Sequence, residues 1–389
     1  SVAQQAIGKA LSPDSAPAIT LAALNGLIEL IQVDALALHQ RQSRDAATGA
    51  VAAENGEGDV TQSSAILQLH WDRILALAMD SSPHQKVEEQ TATMIRRKIL
   101  FLIEISVRDG LCGPWSCLST LVLFAMADGV ARESGSSGVG SLCARSIKQL
   151  KLLMGKYPQY LDMGRIVKGI KDACPAGPRQ KGHQKGRHRE QAVAKIKAAQ
   201  QRARKLYSEI VCPTRAKRNE FLRLLVRSFK GDKGSDLSSA DVNMCCWLVV
   251  ILAGLPYKKA EEVCVVLHEI DAIAASKTAS TVSDLHELLD IDQSILEENG
   301  GGGDGKRVRQ NGRGGHEGAP SSSGHAAVHR GRGGHDGVLT RAAVLCVMIR
   351  LKVYLMRGYS ISPERLAVFA SSSKATERGG ERDATVTFS

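Results

Sequence analysis

Aromatic residues are scarce, only 4% of the 389-residue chain. Alternating apolar and polar runs are nearly absent as well, so the two ingredients of a β-sandwich or barrel are missing. Regular cysteine spacing is also lacking. The nine cysteines, Cys112, Cys117, Cys143, Cys174, Cys212, Cys245, Cys246, Cys264 and Cys346, are odd in number and lie mostly inside apolar runs. That argues against a disulfide scaffold and fits reduced core thiols of an intracellular protein. Long clean apolar runs are absent too. The longest uncharged stretches, Leu111–Ala127 and Val242–Tyr257, carry Gly, Pro, Ser or Asn. Both fall short of the roughly 20 residues that cross a bilayer, so no transmembrane helix is expected. The chain opens at Ser1 rather than Met, straight into a helical pattern, and is expected to be a piece of a longer protein.

What the sequence does have is Ala, Leu, Ile and Val at helical spacing. Leu67, Trp71, Ile74, Leu75 and Ala78 form one stripe, and Ile95, Ile99, Leu102 and Ile103 another. Val193, Ile196, Ala203, Leu206 and Ile210 stripe a basic helix, followed by Phe221, Leu225 and Phe229. Later stripes run through Val263, Leu267, Ile270 and Ala274, then Leu285, Leu288 and Leu289, and finally Leu345, Met348, Leu355 and Met356. Val242–Leu255 is apolar all round and should be a buried helix. Ser238 with Asp241 and Thr281 with Asp284 read as helix-opening capping boxes.

The helices recur in pairs. A short polar turn, Leu11–Asp14, Met79–Pro83 or Met126–Asp128, follows one apolar helix and leads into the next. A period of about 40 to 50 residues suits HEAT or armadillo units, which must stack to bury their faces. The expected fold is therefore all-α, a HEAT-repeat solenoid, curved or hook-shaped, with disordered insertions; an irregular helical bundle is the alternative. The expected divisions are helical repeats over 1–174 with an insertion at 43–64, a basic linker over 175–190, and further repeats with a basic face over 191–298. A disordered Gly/Arg/His-rich insertion follows at 299–337, then a terminal helix and extended tail over 338–389.

No enzyme is expected. Gly300–Arg307 mimics a phosphate-binding loop, but Arg307 stands where Ser or Thr should hold magnesium, and no strand precedes the run. The loop histidines His183, His188, His316, His325, His329 and His335 sit in flexible sequence without fixed metal geometry. His268 beside Glu269 and Asp271 reads as a helix-face histidine, and Cys245-Cys246 lacks metal-type spacing. No cofactor or metal is expected.

Charge is more informative. The whole chain is +11, yet Arg179–Lys233 alone holds seventeen Lys and Arg against four Asp and Glu, a net +13. Such a block repels itself unless an anion neutralises it, and nucleic-acid phosphate is the obvious candidate. The few aromatics nearby, Tyr207, Phe221 and Phe229, fit the core stripes, which favours backbone contact over base stacking. The expected DNA contacts are Lys195, Lys197, Arg202, Arg204, Lys205, Arg215, Lys217 and Arg218, reinforced by Arg179, Lys181, Lys185, Arg187 and Arg189. A localisation tract, or an adaptor surface for acidic peptides, is the competing reading.

Several motifs, in order, resemble the C-terminal half of the cohesin loader family, the Nipped-B or adherin HEAT-repeat proteins. They are Lys156-Tyr157-Pro158 with Ile166–Ile170, Leu206–Ile210 with Arg218–Leu222, and Leu255-Pro256-Tyr257 with Glu261–Val263 and Leu267–Asp271. Leu351–Leu355, Gly358-Tyr359 and Ser360–Phe369 complete the set, although the tail lacks the family's Pro-rich spacing. The resemblance implies a nuclear, chromatin-associated scaffold that loads cohesin onto double-stranded DNA for sister chromatid cohesion and chromosome segregation in the cell cycle. It implies contacts with the SMC heads and the kleisin, and stimulation of the cohesin ATPase without hydrolysis of its own. It also implies a partner loader subunit bound through an N-terminal region absent from this chain, and no membrane association.

Overall fold

The computed structural model describes residues 2–48, 61–79, 86–127, 141–175, 185–211, 214–230, 239–300 and 330–371. Among these no strand occurs, and the all-α class read from the sequence is what the structure has. The chain divides into two compact units, residues 1–173 with 185–217, and residues 174–184 with 218–389.

The first unit contains α1 (Val2–Ala10), α2 (Pro17–Thr48), α3 (Gln62–Leu77), α4 (Lys86–Arg108), α5 (Leu118–Met126), α6 (Leu142–Lys156), α7 (Met163–Asp172) and α8 (Lys185–Leu206). Its core follows the sequence stripes. Leu24, Leu27, Ile28 and Ile31 of α2 turn inward, as do Leu67, Trp71, Ile74 and Ala78 of α3. The Trp71 indole stays satisfied by donating to Ser116 Oγ at 2.7 Å. Helix starts are set by side-chain caps: Thr61 Oγ1 accepts from Ser64 N, Ser141 Oγ from Ala144 N, and Asp162 Oδ1 from Gly164 N. At the end of α4, Gly110 adopts φ +73° and lets Leu111 N bond back to Ser106 O at 2.8 Å. The α5 helix is buried along nearly its whole length and packs against α6 and α7.

One feature of this unit exceeds the sequence expectation. By length and composition alone, Pro17–Gln40 suffices to cross a membrane, with a mean hydropathy of 1.6. It carries Glu29 and Asp34 and packs one face against α3 and α4, while Ile19, Val33 and Leu36 stay exposed and only 22% of the apolar window is buried. A cleft of about 1040 Å³ lies between α2, the start of α3 and the end of α4.

The second unit holds most of α9 (Arg215–Arg227), then α10 (Ser239–Gly254), α11 (Ala260–Gly300) and α12 (Arg330–Gly358). α12 packs on α10 and α11. Phe221, Leu225 and Phe229 are buried, and so are Val263, Leu267 and Ile270. Residues 363–371 form further helical turns, where Phe369 meets the His268 ring edge-on at 6.4 Å.

Three local expectations are corrected. Thr281 and Asp284 lie inside the continuous helix α11, not at a helix start; Thr281 is buried and Asp284 accepts from Arg341. Residues 43–48 extend α2, and Arg330–Gly337 already belong to α12, so both insertions are shorter than the composition implied. Adding a turn to an existing helix costs less than starting one, so both helices propagate into these segments. Val193 and Ile196 are exposed, because burial along α8 begins only at Ala199. Ser238, the turns at 80–85 and 128–140, and Gly301–Arg307 lie outside the described residues.

Candidate nucleic-acid interface

The basic side chains of α8 are sorted by helical phase. Ala199, Ala203 and Leu206, at i, i+4 and i+7, face the core of the first unit. Lys197, Gln201, Arg204 and Lys205, at i, i+4, i+7 and i+8, occupy the opposite side and are all exposed. Lys195 and Arg202, also seven apart, lie on the flank; Lys195 is exposed and Arg202 half-buried. From Lys195 onward the lysines and arginines of α8 therefore split into an outward row of three and a flanking pair.

The neighbouring α6 extends this surface. Lys151 Nζ lies 3.0 Å from Glu209 Oε2, in the π turn (Tyr207–Val211) that ends α8. The Glu209 oxygen has no aligned hydrogen bond, so the contact is a close charge pair rather than a directed bond. Lys148, one turn before Lys151, is exposed on the same face of α6. Both lysines were missed by sequence reasoning, because they sit thirty residues before the basic block. The signal was present in their i, i+3 spacing opposite buried Ile147 and Leu150.

The far end of the basic block behaves differently. Arg215 is exposed, while Lys217 is half-buried and donates to Leu161 O at 3.2 Å. Arg218, expected on the DNA surface, is instead engaged inside the second unit. Its Nε donates to Glu262 Oε1 at 2.7 Å, and the two side chains are 11% and 3% exposed. Glu262 also accepts from Lys258 N at 2.9 Å. Arg227 makes a two-pronged contact with Glu269 at 3.0 Å on each prong, and Arg223 reaches the same carboxylate at 3.8 Å. The carboxylates that meet Arg218, Arg223 and Arg227 are thus supplied by α11. Arg179 and Lys181 lie outside the described residues, and Lys185, Arg187 and Arg189 are placed by backbone only, in the first turns of α8.

The other polar side chains singled out pair with nearby groups. In the α2–α4 cleft, Asp34 accepts from Ser63 N at 3.1 Å, and Asp109 pairs with Arg108. His268 packs on Phe369, while its neighbours Glu269 and Asp271 pair with Arg227 and Lys352. Among the described residues no group of His, Cys, Asp and Glu could hold a metal ion. Burial pushes the Cys117 and Cys245 thiols up to about 12, so neither is primed as a nucleophile.

The family model described as Nipped-B_C, sister chromatid cohesion C-terminus, matches residues 63–273. No curated protein and no solved structure gives a significant match. The match takes in three of the ordered motif groups, around Tyr157, Tyr207 and Tyr257, while the group around Tyr354 lies beyond it. It spans more than half of the chain, and its helices carry the basic surface described above. The chain belongs to the Nipped-B C-terminal family of sister chromatid cohesion proteins.

Proposed function

We propose that this chain acts in sister chromatid cohesion as a non-catalytic scaffold on nuclear chromatin, holding the duplex DNA backbone while cohesin is loaded. The observation that carries the reading is the outward row Lys197, Arg204 and Lys205 on α8, continued by Lys148 on α6. Cations on a rigid helix, seven or eight residues apart, present charge over about 10–12 Å. That span matches phosphates along one strand or across a groove edge, and it requires no base readout. Lys195 adds charge from the flank. Contacts with the SMC heads and the kleisin, and stimulation of the cohesin ATPase, belong to the same proposal. In it the protein contributes position and charge, and cohesin contributes the hydrolysis.

The experiment is duplex-DNA binding across a salt series, comparing the chain with a Lys197→Glu, Arg204→Glu, Lys205→Glu variant. Binding should weaken steeply with salt, and the variant should lose affinity and about 0.9 units of log–log slope per phosphate contact removed. Equal binding and equal slope for both proteins would remove α8 as the DNA surface. No binding by the parent protein at low salt would favour a protein-only adaptor whose basic tract serves localisation.

A further inference from the structure

Helix α12 carries two apolar faces where one is enough. Its inner face, with Val338, Leu345, Met348, Leu351 and Leu355, is buried against α10 and α11. Lys352 and Arg341 lock that face by pairing with Asp271 and Asp284 of α11. A second row, Leu339, Ala342, Cys346, Ile349, Val353 and Met356, follows a strict 3-4-3-4-3 spacing. Leu339 is 58% exposed, Ile349 49% and Val353 41%; Cys346 is exposed as well. A globular helix needs a single stripe, whereas an alternating three-and-four repeat is the seam of a coiled coil. The row runs about 26 Å, close to five helical turns.

The charges beside this seam specify what fits it. Arg350 and Arg357 stand seven residues apart along one edge, both exposed, and no carboxylate among the described residues pairs with either. They occupy the same heptad position, where a partner helix would present its own flanking residues. A second copy of this chain is the wrong occupant. Antiparallel pairing would set arginine against arginine, and parallel pairing would set arginine against a Lys352 already held by Asp271, so neither supplies a carboxylate to Arg350 and Arg357.

We propose that the outer face of α12 docks an acidic amphipathic helix of another protein, with apolar residues at heptad a and d positions and Glu or Asp repeating every seven residues beside them. The Ile349–Val353 pair at the seam's centre is the apolar anchor, and Arg350 and Arg357 set orientation and register. This surface lies in the second unit and shares no residue with the basic side of α8, so either reading stands if the other fails.

The test uses the full chain and a labelled synthetic three-heptad peptide with Ile at a, Leu at d and Glu at the flanking positions. A control peptide carries Lys at the flanks. Fluorescence anisotropy should show the Glu peptide binding about tenfold or more tightly than the Lys peptide. Ile349→Glu with Val353→Glu should abolish binding without lowering the unfolding temperature, since both side chains face solvent. Arg350→Glu with Arg357→Glu should invert the peptide preference. Peptide-resolved alkylation of Cys346 should be fast in the free protein and slowed by the Glu peptide. Four results would overturn the proposal: no saturable binding, indifference to the two double substitutions, a Cys346 protected until residues 372–389 are deleted, or a dimer in sedimentation that Ile349→Glu with Val353→Glu dissociates. The last two would assign the seam to the chain's own tail or to a second copy.

Discussion

Arg218, in the middle of the most basic segment of the chain, donates to the buried carboxylate of Glu262, forty-four residues further on, at 2.7 Å. The pair joins α9 to the start of α11 inside the second unit. Its position changes what the charge block means: part of it holds the fold and part of it faces solvent.

Removing one partner should therefore cost stability rather than DNA affinity. Arg218→Ala leaves Glu262 charged and buried, a loss of about 3–5 kcal/mol. Urea unfolding should show a clear drop in midpoint, and the salt slope of DNA binding should be unchanged. The double variant Arg218→Met with Glu262→Leu should recover most of the lost stability, since it removes both desolvated charges together. A double variant as unstable as the single one would mean that the pair contributes through packing alone.

Glu209 sits beside the proposed DNA surface and occupies Lys151. The pair is partly exposed and worth little to stability. Glu209→Gln removes the carboxylate that pairs with Lys151 and frees the lysine for phosphate. Duplex affinity at low salt should rise about two- to fivefold, with a steeper salt dependence. Weaker binding by this variant would show that the α6–α8 face is not where DNA lies.

Gly169 of α7 lies tight against α5. A Cβ built there would strike the carbonyl oxygen of Ser119 and lie 2.7 Å from Val122 Cβ. Both obstacles belong to the fully packed α5, so neither can swing aside. Gly169→Ala should destabilise by about 1–3 kcal/mol, despite the better helix propensity of Ala. A thermal melt that matches or exceeds the parent would contradict the packing account.

The thiols supply a pH test. Burial raises Cys117 and Cys245 from 9.0 to about 12. The folded state keeps these protons after the unfolded chain has released them, so stability is intact below about pH 9 and falls as pH climbs toward 12. At pH 8, alkylation followed by mass spectrometry should modify exposed Cys246 and Cys346 first among the described cysteines. Cys117 and Cys245 should react only with unfolding. Early modification of Cys117 would show that α5 opens far below the global unfolding energy.

Much of the fold was legible because helical burial is periodic. The stripes through Leu67 and Ile74, Phe221 and Leu225, and Val263 and Ile270 point inward as their spacing required. Where the reading failed, local sequence was overruled by neighbours. Thr281 and Asp284 have capping chemistry, yet α11 runs through them because Asp284 is held by Arg341 from α12. The exposed seam of α12 was invisible for a different reason. A second apolar row is indistinguishable from core until the partners of the first row are known.

The sequence by itself determined the all-α class, the family through its ordered motifs, and the position along the chain where positive charge concentrates. These are local or additive properties, and they survive without coordinates. Only the tertiary structure decided which cations face solvent and which are bound by carboxylates. Arg204 and Arg218 lie fourteen residues apart in one basic block. They differ because Glu262, remote in sequence, folds against one of them and leaves the other at the surface.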